Sequence, residues 1–466
     1  MSTIIKIFNK KVKFLLLVFF LYTIVYSQEL SNAKVNGYKG IWFSIGQTRH
    51  GMDKYSGGLA TFTAKHTPIA IYSETVDKTF FVYGGSNNKD KLSILIGENN
   101  HHTGLLSRPT EICRKDTDDP HDNAVITIDE KGYIYVFVSG RATVRNGTTF
   151  KSNKPYDINR FSLIETKLYS YPQIWKLNNY YIHLYTEYTG IRELYYRVSI
   201  DCENWVGDIQ MAAIKLEGCF YSGHYEVSAC RDGKLSVFFN LHPNGDVDHR
   251  TDLYYMETTD GIRWNNINGK EVYLPVTKGD EIKVLDWYGK KNVYLKDVKI
   301  DDKGNPICLY IRSNSYIQGS NGEPYELCIT YWKNDFWNTE VITETDHNYD
   351  TGCLVQDGDN YLVVAPTGTT LRHGCGGEVE IWNKTKLGWN KKFILTQNSI
   401  LSHNYVRSVV NFKKPFCFLW ADGDPMLKSP SHLYFGDLEG NVWMMPDIME
   451  ENYSAPIKIQ NKLTSN

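Results

Sequence analysis

Short turns built on Asp or Glu beside Gly recur along this chain, at 129–132, 232–233, 260–261, 302–304, 357–358 and 439–440, each between runs of β-branched and aromatic residues. An Asp side chain stabilises such a turn by accepting nearby backbone N–H groups, and Gly supplies the positive φ, so each site reads as a hairpin. No segment carries the 3.6-residue apolar period of a long amphipathic helix. The chain is therefore predicted to be all-β, with sheets made from consecutive strands. An aromatic content of 14%, with 33 Tyr and 11 Trp, suits pleated surfaces and also provides flat faces for stacking on sugars.

Two turns match closely: Ser199-Ile-Asp-Cys-Glu-Asn-Trp205 and Thr258-Thr-Asp-Gly-Ile-Arg-Trp264, with their Trp residues 59 positions apart (264 − 205). A period near 60 fits a four-stranded blade with long loops. Residues 1–27 read as a secretory leader, with Lys10, Lys11 and Lys13 before an apolar run at 14–26 and a small Ser27. That run is short of the ~20 apolar residues needed to span a bilayer. The expectation is export with cleavage, to the periplasm or the medium, and no stable membrane insertion afterwards. Removing 27 of 466 residues leaves 439, and a period near 60 then implies about seven repeats. A single seven-bladed β-propeller over 28–466 is predicted, with paired β-sandwiches or a β-helix as alternatives. The net charge is −2 with no long Lys/Arg block, which argues against nucleic acid as a partner. Nine cysteines, an odd number with none in a C-x-x-C pair, argue against a full disulfide framework.

Residues 119–141 carry the most informative chemistry. Strands at 125–128 and 133–138 around the 129–132 turn return His121 and Arg141 to one end of a sheet. A proton-transfer group beside a permanent cation is what removal of a proton next to a carboxylate requires. An ion pair of Arg141 with Asp119 or Asp122 is the plainer alternative. Further on, Tyr188 and Arg192 flank the Thr189-Gly190 turn, where a neighbouring cation would ease ionisation of the phenol. His224, Tyr225, His242 and Arg250 lie on loops either side of an apolar strand at 235–239 and are candidate substrate-binding residues. His347, Cys353, Cys375 and His403, with His373 as a substitute, are candidate ligands for a structural ion, zinc favoured and calcium possible as a second choice. A Cys353–Cys375 disulfide would use the same residues. Glu187, Glu193, Glu226 and Asp252 are available as paired carboxylates, although the His, Tyr or Arg beside each accounts for the sequence equally well. G-x-S-x-G, P-loop, G-x-G-x-x-G and H-E-x-x-H motifs are absent, so no organic cofactor is expected.

In order along the chain, Gly40-Ile-Trp-Phe43, Asp53-Lys-Tyr-Ser-Gly-Gly58, Ala64-Lys-His-Thr-Pro68, Asp119-Pro-His-Asp-Asn123, Val138-Ser-Gly-Arg141, Arg192-Glu-Leu-Tyr195 and Trp420-Ala-Asp-Gly423 resemble the BNR-repeat polysaccharide lyase group, which includes seven-bladed propeller ulvan lyases and related ulvan oligosaccharide dehydratases. The resemblance implies β-elimination at a uronic acid of an anionic poly- or oligosaccharide, with His121 as the catalytic histidine and Tyr188 as the catalytic phenol. Arg141 falls where some of these lyases carry a second His, a departure that keeps the positive charge and removes a possible base. A structural metal ion is also implied. Loss of a sugar from C4 would make the protein a lyase, and loss of water from a terminal uronic acid a dehydratase. A non-catalytic carbohydrate-binding propeller would use the same rings and cations without chemistry, and a sialidase-like hydrolase would need three converging Arg.

Overall fold

All six Asp/Glu-Gly turns join antiparallel strands. Ile128 pairs with Ile134, Arg231 with Lys234, Glu257 with Asn265, Ile300 with Pro306, Asp357 with Asn360 and Gly436 with Val442. The two Trp-bearing turns are built alike. Asp201 Oδ1 accepts the N–H groups of Glu203 and Asn204, and Asp260 Oδ1 those of Ile262 and Arg263. Each carboxylate thereby satisfies two donors that the tight turn leaves without strand partners.

A computed structural model describes residues 29–49, 52–86, 91–317, 321–358, 360–368, 376–459 and 463–464. The leader expected at 1–27 lies outside them. The described chain is all-β and propeller-like, with single 3-10 turns such as Pro120–Asp122 and Asp280–Ile282 as its helical elements. Consecutive strands form four-stranded antiparallel sheets over 124–167, 170–210 and 292–345. A seven-stranded sheet covers 222–285, and a five-stranded one covers 353–394 together with Leu463–Thr464. A sixteen-stranded sheet unites the first described strands with those from 402 onward. No described helix is long and apolar enough to cross a membrane.

Burial follows strand position within each sheet. Ile134–Val138 is buried at every residue, whereas Phe161–Lys167 and Trp205–Gln210, at the outer edge of their sheets, are largely exposed. Strands covered on both faces need apolar side chains on both, which is why Ile-Tyr-Val-Phe-Val shows no alternation. The core lies between neighbouring sheets. Val125, Tyr135 and Phe137 pack on Ile174 and Tyr181 of the next sheet, and Leu184 and Tyr196 belong with Val237, Phe239 and Trp264 beyond it. Val227 and Phe238 in turn meet Leu295, Cys308 and Tyr310. Each such side chain, taken fully from water, contributes about 1.5–3 kcal/mol. The sheets are thus held face to face, and the loops at their ends carry the polar residues.

Candidate active site

The register of the 124–138 hairpin, with Ala124 opposite Val138, carries His121 and Arg141 to the same sheet end. Just before its first strand, Pro120–Asp122 makes a single 3-10 turn, and Asp119 Oδ1 caps it by accepting the His121 N–H at 3.1 Å. Pro fits the first position of such a turn because its missing N–H would have no partner there. The same carboxylate oxygen accepts a very short hydrogen bond from His121 Nδ1. That bond assigns the proton to Nδ1 and leaves the lone pair on Nε2, which is buried without a hydrogen-bond partner.

Cations crowd Asp119. Arg145 Nη2 lies 2.8 Å and Arg141 Nε 3.5 Å from its Oδ2. Burial alone would raise the carboxyl, but His121, Arg141 and Arg145 together hold it well below the usual carboxylate range. Burial also lowers His121 below its ordinary value, with Asp119 opposing and Arg141 reinforcing the shift, so the imidazole is neutral at neutral pH. Asp119→Asn would remove the largest effect that opposes this lowering. The acid limb of any His121-dependent rate is therefore expected to move to lower pH, while the rate at neutral pH falls roughly 10²-fold because an imidazolium formed in turnover loses its partner. A pH–rate profile of the variant checks both.

Arg141 Nη1 donates to the Tyr188 hydroxyl at 3.2 Å. Burial raises the Tyr188 phenol, Tyr225 adds to the rise, and Arg141 and Arg192 act against it. The phenol keeps its proton at neutral pH, and a phenolate formed there would have a guanidinium in place to receive it.

From His121 the group continues ring by ring. Tyr171 lies 5.8 Å from His121 and 5.7 Å from Tyr225 between centroids, and Tyr225 lies 4.6 Å from His242. The Arg250 guanidinium is 5.1 Å from the Tyr225 ring and 4.3 Å from that of Tyr294. Gly223 lets His242 approach closely, since a Cβ there would stand 3.3 Å from His242 Nδ1, and Arg192 Nε lies beside the same point at 3.6 Å. His224 receives its place from the Arg192 carbonyl, 3.1 Å from its N–H, and donates Nδ1–H to the Asn240 carbonyl at 3.1 Å. Burial lowers His224 to about 4, and burial with Arg192 and Arg250 lowers His242 well below its ordinary value. His224 Nε2, both His242 nitrogens, Arg192 Nε and Arg250 Nη2 are buried without a partner. Leaving such groups unmet costs about 1–3 kcal/mol each, so five at one place point to a polar ligand that would meet them.

All eight catalytic and substrate-binding candidates, His121, Arg141, Tyr188, Arg192, His224, Tyr225, His242 and Arg250, therefore occupy one continuous patch, with Arg141, Tyr188 and Arg192 partly exposed over a buried floor. Sequence reasoning missed Asp119 as the partner that orients His121, together with Arg145, which braces Asp119 and Asp122. The repeated acid in Asp-Pro-His-Asp was the available signal.

The ion implied by the family resemblance fares differently. Cys375, like its neighbour His373, lies outside the described residues. His403 has both ring nitrogens engaged, Nδ1 accepting from Trp420 Nε1 at 3.1 Å and Nε2 facing Ser399 Oγ at 3.0 Å. His347 Nδ1 accepts the Tyr349 N–H at 3.1 Å. Cys353 is packed with Val355, Val364 and Val406, where burial pushes its thiol well above the ordinary range. Among the described residues no three His, Cys, Asp or Glu side chains stand close enough together to hold an ion. Of the expected ligands, His403 has both nitrogens occupied within the protein, and the described ones do not gather into a metal centre.

Comparison with known proteins agrees with the fold. A solved polysaccharide lyase of family PL25, an ulvan lyase bound to -[GlcA(1-4)Rha3S]-, superposes with a TM-score of 0.67 over 88% of this chain and 96% of that one, at 16% identity. A second solved PL25 ulvan lyase structure gives 0.64 over the same shares, also at 16% identity. Among curated proteins, an ulvan lyase of Alteromonas sp. (strain LOR) is 24% identical over 324 residues, and Ulvan Lyase-PL25 of Pseudoalteromonas sp. (strain PLSV) is 25% identical over 314. These matches cover 58% and 57% of this chain, and 63% of each relative, so the shared stretch is less than two thirds of the relatives' length. Residues 101–345, which hold every one of the eight site residues, match the sequence model of the BNR repeat-containing family; with more than half of the chain inside that match, the protein belongs to this family.

Proposed function

We propose that the protein is a carbon–oxygen lyase that cleaves ulvan, or a similar sulfated algal polysaccharide, by β-elimination at a uronic acid. The observation that carries this reading is the pairing, in one patch, of a neutral His121 whose free Nε2 is aimed by Asp119 with a protonated Tyr188 held by Arg141. His121 Nε2 takes the C5 proton, the C5–H electrons form the C4=C5 double bond, and the C4–O bond breaks. Tyr188 gives its proton to the departing oxygen. The C5 hydrogen is too weakly acidic to leave unless the charge growing on the carboxylate is met, which is the work assigned to Arg141, with Arg192 and Arg250 as further cations for the anionic chain. The sugar bound to the solved relative, -[GlcA(1-4)Rha3S]-, has the acid this scheme needs.

The seven-bladed architecture belongs to the same proposal. Among the described strands of the sixteen-stranded sheet, Val410 and Ile71 form the one parallel pair between two antiparallel meanders, a seam of the sort left where a propeller closes. A cavity of about 710 Å³ is lined by residues from strands spread along the chain, including Ile71, Thr127, Ile174, Ala229, Lys299, Leu354, Tyr361 and Val409, as an axial channel would be. The leader-like 1–27 segment fits export to where such a polymer is met.

Incubation with ulvan polymer and with ulvan oligosaccharides tests the activity. The expected result is rising ultraviolet absorbance from unsaturated uronate and shorter oligomers by mass spectrometry. Loss of water without shortening would make the protein the dehydratase instead, and binding with no new absorbance would leave a carbohydrate-binding propeller.

A further inference from the structure

The segment Ala64-Lys-His carries a device that the scheme above does not use. Ala64 sits at φ 58°, a conformation that costs an L residue energy and persists only where its surroundings enforce it. Arg407 enforces it here, donating from Nη1 to the Ala64 carbonyl at 3.2 Å and from Nη2 to the His66 carbonyl at 3.0 Å. The clamped segment then reaches the site on both sides. His66 Nε2 bonds the His121 carbonyl at 3.1 Å, which fixes the imidazole turn from behind. Lys65, with none of its surface exposed, places Nζ 2.9 Å from Glu226 Oε2 and 2.7 Å from Thr186 Oγ1. The same ammonium lies 4.4 Å from the Tyr225 ring centroid and 4.9 Å from that of Tyr171. Gln173 Nε2 holds Glu226 in turn, at 3.1 Å.

We propose that Lys65 and Glu226 are positioning residues of the active site, the buried ammonium gripping the faces of Tyr171 and Tyr225 and so fixing the floor on which His121, Tyr188 and the substrate acid are aligned. A desolvated cation is attracted to the face of a phenol ring, and here it has two. Removing a charge from water is unfavourable unless it is paired, so a Lys with no exposed surface at this place is explained by what it holds. Burial lowers the ammonium to about 8, with Glu226 opposing and Arg192 and Arg250 adding to the fall. His66, His224 and His242 feel the same charge. The grip should therefore loosen as pH rises through about 8.

The inference rests on the eliminase reading, and one pair of variants separates the two. Lys65→Met leaves Glu226 buried and unpaired, so the informative protein is the double variant Lys65→Met with Glu226→Gln, which keeps shape and neutrality. On ulvan, the wild type is expected to lose rate above about pH 8, whereas the double variant should lack that limb and turn over about 10- to 100-fold more slowly at lower pH, with KM changed less than about threefold. A double variant with the wild-type rate and the wild-type alkaline limb would overturn the proposal, because the pair would then only fill space. If the wild type itself shows no elimination, the function falls and the positioning is read without turnover. With tyrosine isotopically labelled at Cζ, the signals absent from Tyr171→Phe and Tyr225→Phe should shift in the double variant, and unmoved signals would overturn the inference.

Discussion

His121→Ala is expected to lower turnover on ulvan by about 10²- to 10⁴-fold, the range for removing a positioned general base, with little change in the folded state. The physical case rests on a contrast between the two ring nitrogens. Nδ1 is committed to Asp119, and Nε2 is buried with nothing to bond. A free lone pair on the nitrogen opposite an orienting carboxylate is what a general base needs, whereas His403 has both nitrogens engaged, between Trp420 and Ser399. Because burial lowers His121, with Asp119 opposing, the base is already unprotonated at neutral pH, and protonation cuts its rate only as pH falls below the ordinary imidazole value. The variant should retain polymer binding, since Arg141, Arg192 and Arg250 remain. Kcat and KM measured separately, with thermal unfolding as a control, check the split; a His121→Ala enzyme within threefold of wild type would remove His121 from the chemistry and with it the elimination scheme.

How far this site could be read from sequence depended on how local each relation is. The 119–141 hairpin was legible because turn residues and β-branched runs fix its register, and register alone brings His121 and Arg141 to one end. The paired Trp turns were legible for the same reason, each Asp bonding within its own few residues. Contacts between sheets leave no such pattern. Tyr171 and Tyr225 stood in the sequence among many tyrosines, and only the fold places them 5.7 Å apart. Lys65 and Glu226 are 161 positions apart (226 − 65), and a Lys in a polar-looking segment reads as solvated until its burial is seen. His and Cys were harder to read, because they are ambiguous residue types: the structure engages both nitrogens of His403 with Trp420 and Ser399 and packs Cys353 among apolar side chains.

Arg141→Ala is expected to cost about 10²- to 10³-fold in kcat/KM, the usual price of removing one preorganised donor to developing negative charge. Arg141 has two neighbours to lose, and they titrate in a predictable direction. It lowers both His121 and Tyr188, so without it both groups rise; the acid limb, set by His121, should move to higher pH, whereas the alkaline limb at about 8, set by Lys65, should stay in place. The fold should tolerate the change, because Asp119 keeps His121 and Arg145 as partners and the Arg141 side chain is about a quarter exposed. Arg141→Lys sharpens the test. A single ammonium restores charge but lacks the planar fork that reaches Tyr188 and a carboxylate at once, so partial recovery in KM with little recovery in kcat is expected. Full recovery by Lys would mean that charge alone is needed at this position. Near-wild-type kcat/KM in Arg141→Ala would mean that the carboxylate is neutralised elsewhere, with Arg192 and Arg250, whose buried Nε and Nη2 await a partner, as the groups to replace next.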